Sequence, residues 1–115
     1  MGAYQDLFIN QNETFSTDIV LQDVNGEAYN LLDYNAAATA KRSYYQANAS
    51  FIFAVSSTDP TNGVLTLTLD ANTTSNIVPT SYMFDVIIQD QYNTTARVLE
   101  GRIFVSPGVT PLTAL

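Results

Sequence analysis

The chain lacks cysteine and histidine altogether, and it holds only four lysines and arginines against eleven aspartates and glutamates. Without cysteine there is no disulfide and no thiolate metal site. This fits a cytosolic origin, or a particle assembled in a cytosol, and leaves export open. Losing histidine as well removes the usual general base, the usual nucleophile and the main zinc ligands. A net charge of −7 leaves too few cations to neutralise phosphates, so a nucleic-acid partner is not expected. No stretch approaches the ~20 apolar residues of a membrane helix. The opening MGAYQDLF has neither a basic start nor an apolar run, so no signal peptide is expected. Charged residues are only 13% of the chain, which leaves the surface to Asn, Gln, Ser and Thr. Its 115 residues suit one domain, able to bury roughly 65% of its unfolded surface without covalent staples.

What is present is period-two alternation. Thr17, Ile19 and Leu21 share one phase, as do Phe51, Phe53 and Val55. Leu65, Leu67 and Leu69 form the cleanest run, followed by Tyr82, Phe84, Val86 and Ile88, and then by Leu99, Ile103 and Val105. A further strand is expected over Asp6–Asn10. Turns separate these runs at Asp23-Val24-Asn25-Gly26, Asp59-Pro60-Thr61-Asn62-Gly63 and Gln91-Tyr92-Asn93. About seven strands at this spacing indicate an all-β sandwich or barrel. The alanine-rich segment 35–46 has local helix propensity, but a sandwich of this size needs a strand there. Residues 70–77 read as one helical turn with Asp70 as its N-cap. The boundaries expected are a sandwich over 1–105 and an extended C-terminal arm over 106–115.

Candidate chemistry is sparse. Asp85, Asp90 and Glu100 lie close enough in the strand pattern to raise paired carboxylates; solvent-facing residues on the outside of a sheet are the preferred reading. Asp23 to Glu27 has the look of a calcium-loop fragment without its spacing or closing glutamate. Asn12, Asn48, Asn72 and Asn93 each begin an Asn-x-Ser/Thr triplet, which chance explains in so Asn- and Thr-rich a chain. No catalytic, cofactor or metal residue is assigned, and no enzyme or small-molecule substrate is expected. Tyr44, Tyr45 and Tyr92 are candidates for a contact, because tyrosine is favoured at interfaces. Arg97 and Arg102, five apart, would alternate to opposite faces of one strand. A bulge at Gly101 would bring both outward, within reach of Asp85 or Glu100.

The order of these elements resembles a family of small immunoglobulin-like β-sandwich virion proteins of tailed bacteriophages, over about residues 5–110. The resemblance is carried by the opening INQNETFSTDIVLQD and by Leu31 and Tyr34 in a Leu-x-x-Tyr step. The Asp59–Leu69 turn and strand and the helical turn at Thr73-Thr74 follow. Tyr82, Phe84, Asp85 and Val86 come next, and the pattern closes with Arg97, Leu99, Gly101, Val105, Pro107, Val109 and Thr110. The low charge and the abundance of Asn and Thr resemble marine or cyanobacterial phage structural proteins. The resemblance implies a single immunoglobulin-like sandwich in a virion assembled in the host bacterial cytoplasm. It implies a small accessory or decoration subunit on the capsid or on the tail or baseplate. Its partners would be other virion proteins and copies of itself, met through a sheet edge, a loop end or the segment holding Pro107, Val109 and Thr110. The alternative expectation is a module recognising a host-surface glycan or protein.

Overall fold

The alternating runs become eight strands in a computed structural model that describes residues 3–23, 25–43, 45–46 and 48–115. They are β1 (Ala3–Tyr4), β2 (Leu7–Asn10), β3 (Phe15–Val20), β4 (Asn35–Lys41), β5 (Phe51–Asp59), β6 (Val64–Leu69), β7 (Ser81–Gln89) and β8 (Thr95–Ser106). One short helix, α1 (Ala71–Ser75), joins β6 to β7, and single 3-10 turns occupy Pro60–Asn62 and Leu112–Ala114. Segment 35–46 is a strand as far as Lys41, so the demands of the sheet override the helix propensity of its alanines.

The strands follow one hydrogen-bonded path, β1–β8–β7–β4–β5–β6–β3, with β2 also on β8. All neighbours are antiparallel except β1 and β2, which run parallel to β8. The path turns at β5. Residues 51–53 of β5 pair with β4, and residues from Ala54 onward pair with β6. The sheet therefore curls, and its inward phases meet in one apolar cluster that takes residues from both halves. The triplets β4–β7–β8 and β3–β6–β5 match the C-F-G and B-E-D groupings of an immunoglobulin-like domain. The fold is all-β and immunoglobulin-like, with one short helical turn.

Four aromatic rings from two strands meet across a third. Ala38 and Ala40 of β4 are fully buried between Phe53 and Phe51 of β5 and Val86 and Phe84 of β7. β5 and β7 are two strand spacings apart, about 9.5 Å. Methyl side chains on the strand between leave the volume that the rings need. Phe51 meets Tyr82 with centroids 5.1 Å apart, and Phe53 meets Phe84 at 6.2 Å, both edge-on.

The bulge in β8 is at Val98, not at Gly101. Pairing with β7 passes from Val86–Leu99 to Ile87–Arg97, leaving Val98 without an opposite residue, while Phe84–Gly101 and Met83–Arg102 are regular. Arg97 and Arg102 are both exposed as expected, but among the described residues only Arg97 pairs with Asp85 and Glu100. Gly101 answers a different demand. The chain between β1 and β2 crosses so close that a Cβ at 101 would overlap the Gln5 carbonyl, and Gln5 N–H donates to Glu100 O at 3.0 Å. A glycine in a strand marks such an approach as readily as a bulge.

The turns at Asp23 and Asp90 share one design. Asp23 Oδ1 accepts from the N–H groups of Asn25 and Glu27, and Asp90 Oδ1 from those of Tyr92 and Thr94. The fourth residue of each, Gly26 or Asn93, has positive φ. At α1, Asp70 Oδ1 accepts from Thr73 N–H at 2.7 Å, which is the expected N-cap. The buried Thr74 hydroxyl reaches the carbonyls of Glu13 and Ala71 and ties the helix to the β2–β3 corner.

Segment 106–115, expected as an extended arm, begins inside β8 and ends in a 3-10 turn. The same β2–β3 corner holds it. Gln11 Oε1 accepts from Gly108 N–H at 2.9 Å, and Asn12 Nδ2 donates to Thr110 O at 2.9 Å.

Two outcomes follow from these contacts. Gly101→Ala should destabilise the fold by about 1–3 kcal/mol, because it overpacks backbone against backbone. Urea unfolding reads this, and an unchanged midpoint would contradict the close approach. At Asp70, hydrogen bonds from Thr73, its side chain first and then its N–H, hold the carboxyl below the usual range. The stability it contributes is fully present above the unfolded carboxyl value and is lost as pH falls through the lower folded value. Asp70→Asn keeps the cap without the titration. The stability difference between wild type and Asp70→Asn should therefore be constant near neutrality and shift toward the variant in acid.

Candidate interaction face

Outward positions of β1, β2, β8, β7 and β4 form one continuous face, and the registers fix its layout. Phe8 lies beside Phe104, which lies beside Ser81. Arg102, Met83 and Lys41 form the next row. Tyr4, Glu100, Asp85 and Thr39 form the row below. Arg97, Ile87 and Ala37 come last.

Phe8 is 71% exposed and Phe104 38%, and their rings stack with centroids 5.5 Å apart and planes 22° from parallel. Two phenyl rings stacked in solvent cost hydration that a packed core would recover. Alternation alone assigns both positions to polar residues. The readable signal was an apolar residue in the outward phase of Leu7-Phe8-Ile9 and of Ile103-Phe104-Val105; the sequence reading missed it.

Arg97 reaches Asp85 through Nη1 at 3.8 Å and Glu100 through Nε at 3.5 Å. All three side chains are 40–55% exposed, so these pairs orient the face more than they stabilise the fold. Asp85 and Glu100 sit opposite each other with an arginine between them, and Asp90 is engaged in its turn. They do not form an isolated carboxylate pair. Beside Arg102, desolvation first and then the Asp6 carboxylate raise the Tyr4 hydroxyl above its usual pKa, and Arg102 opposes them.

A shallow groove of about 150 Å³ runs along this face, lined by Thr39, Lys41, Ser43, Met83, Asp85, Arg97 and Glu100. It is smaller than the roughly 300–1,000 Å³ of a small-molecule site. A crevice of about 350 Å³ opens between β1 and β3, with Asp23 as its one carboxylate. Oδ1 of that carboxylate accepts two turn amides, which is structural work. Among the described residues no group of three or more acidic, histidine or cysteine side chains could hold a metal, and no buried side-chain polar atom lacks a partner. No described helix is long and apolar enough to cross a membrane.

The expected contact residues separate. Tyr45 is 96% exposed beyond the Lys41 end of β4, and Tyr92 is 78% exposed in the β7–β8 hairpin beyond its Asn35 end. The seven residues of β4 put about 20 Å between those ends. The two tyrosines do not form one platform, and Tyr44 lies outside the described residues. Arg97 and Arg102 are on the outer face. Pro107, Val109 and Thr110 are exposed beyond the Ser106 end of β8, on the same end of the sheet as Tyr45.

No family model matches the chain, and no curated protein matches it. Among solved structures it is similar to the filamin domain of Lin-41, at 15% identity and a TM-score of 0.48, over 88% of this chain and 84% of that one. It is also similar to an internalin-like protein of Listeria monocytogenes, at 16% identity and a TM-score of 0.46. That match covers 93% of this chain but spans only 28% of the Listeria protein. Neither likeness is close enough to transfer a role.

Proposed function

We propose that this chain is a non-enzymatic structural subunit of a tailed-phage virion. It would be a small accessory or decoration protein that assembles on the capsid or on the tail or baseplate through protein–protein contacts. The observation that carries the assembly reading is the exposed Phe8–Phe104 stack, set on a rigid sheet face beside Arg102 and Lys41. Aromatic residues and arginine are the side chains that most often anchor interfaces. The setting in a virion comes from the sequence resemblance to phage sandwich proteins. Recognition of a host glycan through Tyr44, Tyr45 and Tyr92 has less support, because Tyr45 and Tyr92 occupy opposite ends of the sheet.

Particles purified from the phage or prophage that encodes the chain provide the test. Mass spectrometry should find the chain at a fixed copy number, and immunogold labelling should place it on the head or the tail. Phe8→Ser with Phe104→Ser should keep the fold by circular dichroism and lower incorporation by about tenfold or more. Absence from washed wild-type particles would overturn the virion assignment.

A further inference from the structure

We propose that copies of this chain associate head to tail, with the acidic loop end of one copy docking on the upper part of the outer face of the next. This deepens the assembly reading above by naming a second copy as the partner.

The loop end where β4 begins and the upper part of the outer face carry opposite charge. Asp23, Glu27, Asp33 and Asp90 lie in loops, and Asp59 at the last position of β5, at the end where β4 begins and β7 finishes. Those loops, 21–34, 59–63 and 90–94, contain no lysine or arginine. Lys41, Arg42 and Arg102 gather toward the opposite end, where Arg102, Met83 and Lys41 share a row of the outer face below Phe8 and Phe104; Asp6 lies beside that row, and Glu13 and Asp70 sit at the same end around the β2–β3 corner and α1. Among the described residues these three cations have no carboxylate within 4.0 Å, whereas Arg97 is already paired with Asp85 and Glu100. Asp6 lies beside Arg102, its Oδ1 accepting from the Arg102 backbone N–H at 3.4 Å.

Both surfaces also carry what a contact needs besides charge. The cationic face offers the exposed Phe8–Phe104 stack, and the acidic end offers exposed Tyr92 and Leu32. Because the two surfaces differ, the contact is heterologous and builds a ring or a filament rather than a two-fold dimer. Opposite charge brings the two surfaces together and sets their orientation, and the apolar groups supply desolvation.

Sedimentation velocity tests the proposal on three proteins. Wild type should associate in a concentration-dependent way at about 20 mM salt and disperse to monomer at about 0.5 M, where screening is strong. A face variant, Lys41→Glu with Arg102→Glu, and an end variant, Glu27→Lys with Asp33→Asn and Gln91→Lys, should each associate about tenfold or more weakly. Asn is chosen at 33 because the site has φ +63°. Mixing the two variants should restore association, since each supplies the surface that the other lost. Circular dichroism and thermal unfolding verify that both variants fold. An end variant that associates like wild type would mean a face-to-face contact and would overturn the proposal. So would a monomeric wild type, or association that persists in high salt. If the wild type is monomeric yet present in particles, this inference fails while the virion reading stands.

Discussion

The architecture turns on the small size of the side chains at Ala38 and Ala40. They sit on the middle strand of the β5–β4–β7 ladder, with phenylalanines on the neighbouring strands in the same rows. Because the middle strand offers only methyls, Phe51 can reach Tyr82, and Phe53 can reach Phe84, across a gap that larger side chains would fill. Each such edge-on pair is worth about 0.5–1.5 kcal/mol beyond the area it buries. Phe53 also touches Phe15 of β3, with centroids 6.0 Å apart. One ring thus links the β4–β7–β8 half to the β3–β6–β5 half at the strand where the sheet turns. The alanines that locally favour helix are, in this setting, what lets the sheet hold its aromatic core.

Part of the acidity of the chain follows from how its turns are made. Asp23 and Asp90 each hold a hairpin loop by accepting two amides, Asp59 accepts from Thr61 and Asn62, and Asp70 caps α1. At Asp23, Asp70 and Asp90 an aspartate suits the place because its short carboxylate can satisfy nearby backbone N–H groups that strands do not reach. Turns lie at the ends of a sheet, so the negative charge collects there. The basic side chains, which cap nothing, sit on or just beyond outward strand positions. The concentration of acids in the loops where β4 begins is therefore partly a consequence of turn chemistry, while Asp70 puts one turn acid at the other end.

Strand phases, the helical turn and its cap were legible because each depends on local pattern. The inward sets of β5, β6 and β7 are those that alternation picks out, and Asp70 stands where a cap should. What local pattern could not supply were facts set by a distant chain. Gly101 carries a glycine because Gln5 passes over it, and nothing near 101 in the sequence announces Gln5. The bulge falls on Val98, an apolar residue that reads as ordinary strand. The candidate face was half visible. Arg97 and Arg102 were singled out and are exposed, but Phe8 and Phe104 were not singled out, because phenylalanine in a strand usually belongs to a core. Tyr45 and Tyr92 looked like partners until the direction of β4 put them at opposite ends.

The same geometry bears on how such a molecule would meet a neighbour. Sheets most often recruit strands at open edges, and both edges here are blunted. The β1–β2 edge is broken at Gln5 and Asp6, so it offers two short stretches in place of one ladder. The β3 edge carries a charged outward residue, Asp18, held by the Thr66 hydroxyl at 2.7 Å. The C-terminal segment, which could have served as a donated strand, is pinned by Gln11 and Asn12. Freeing it would require breaking both of those bonds first. A broad face with two exposed aromatic rings and three cations unpaired among the described residues asks for none of that rearrangement. It is pre-organised by the sheet beneath it, and an interface that needs no ordering on contact spends less of its binding energy. Under the proposed assembly, the blunted edges and the pinned tail favour the face over the sheet edge and the arm, which with a loop end were the routes expected from the sequence.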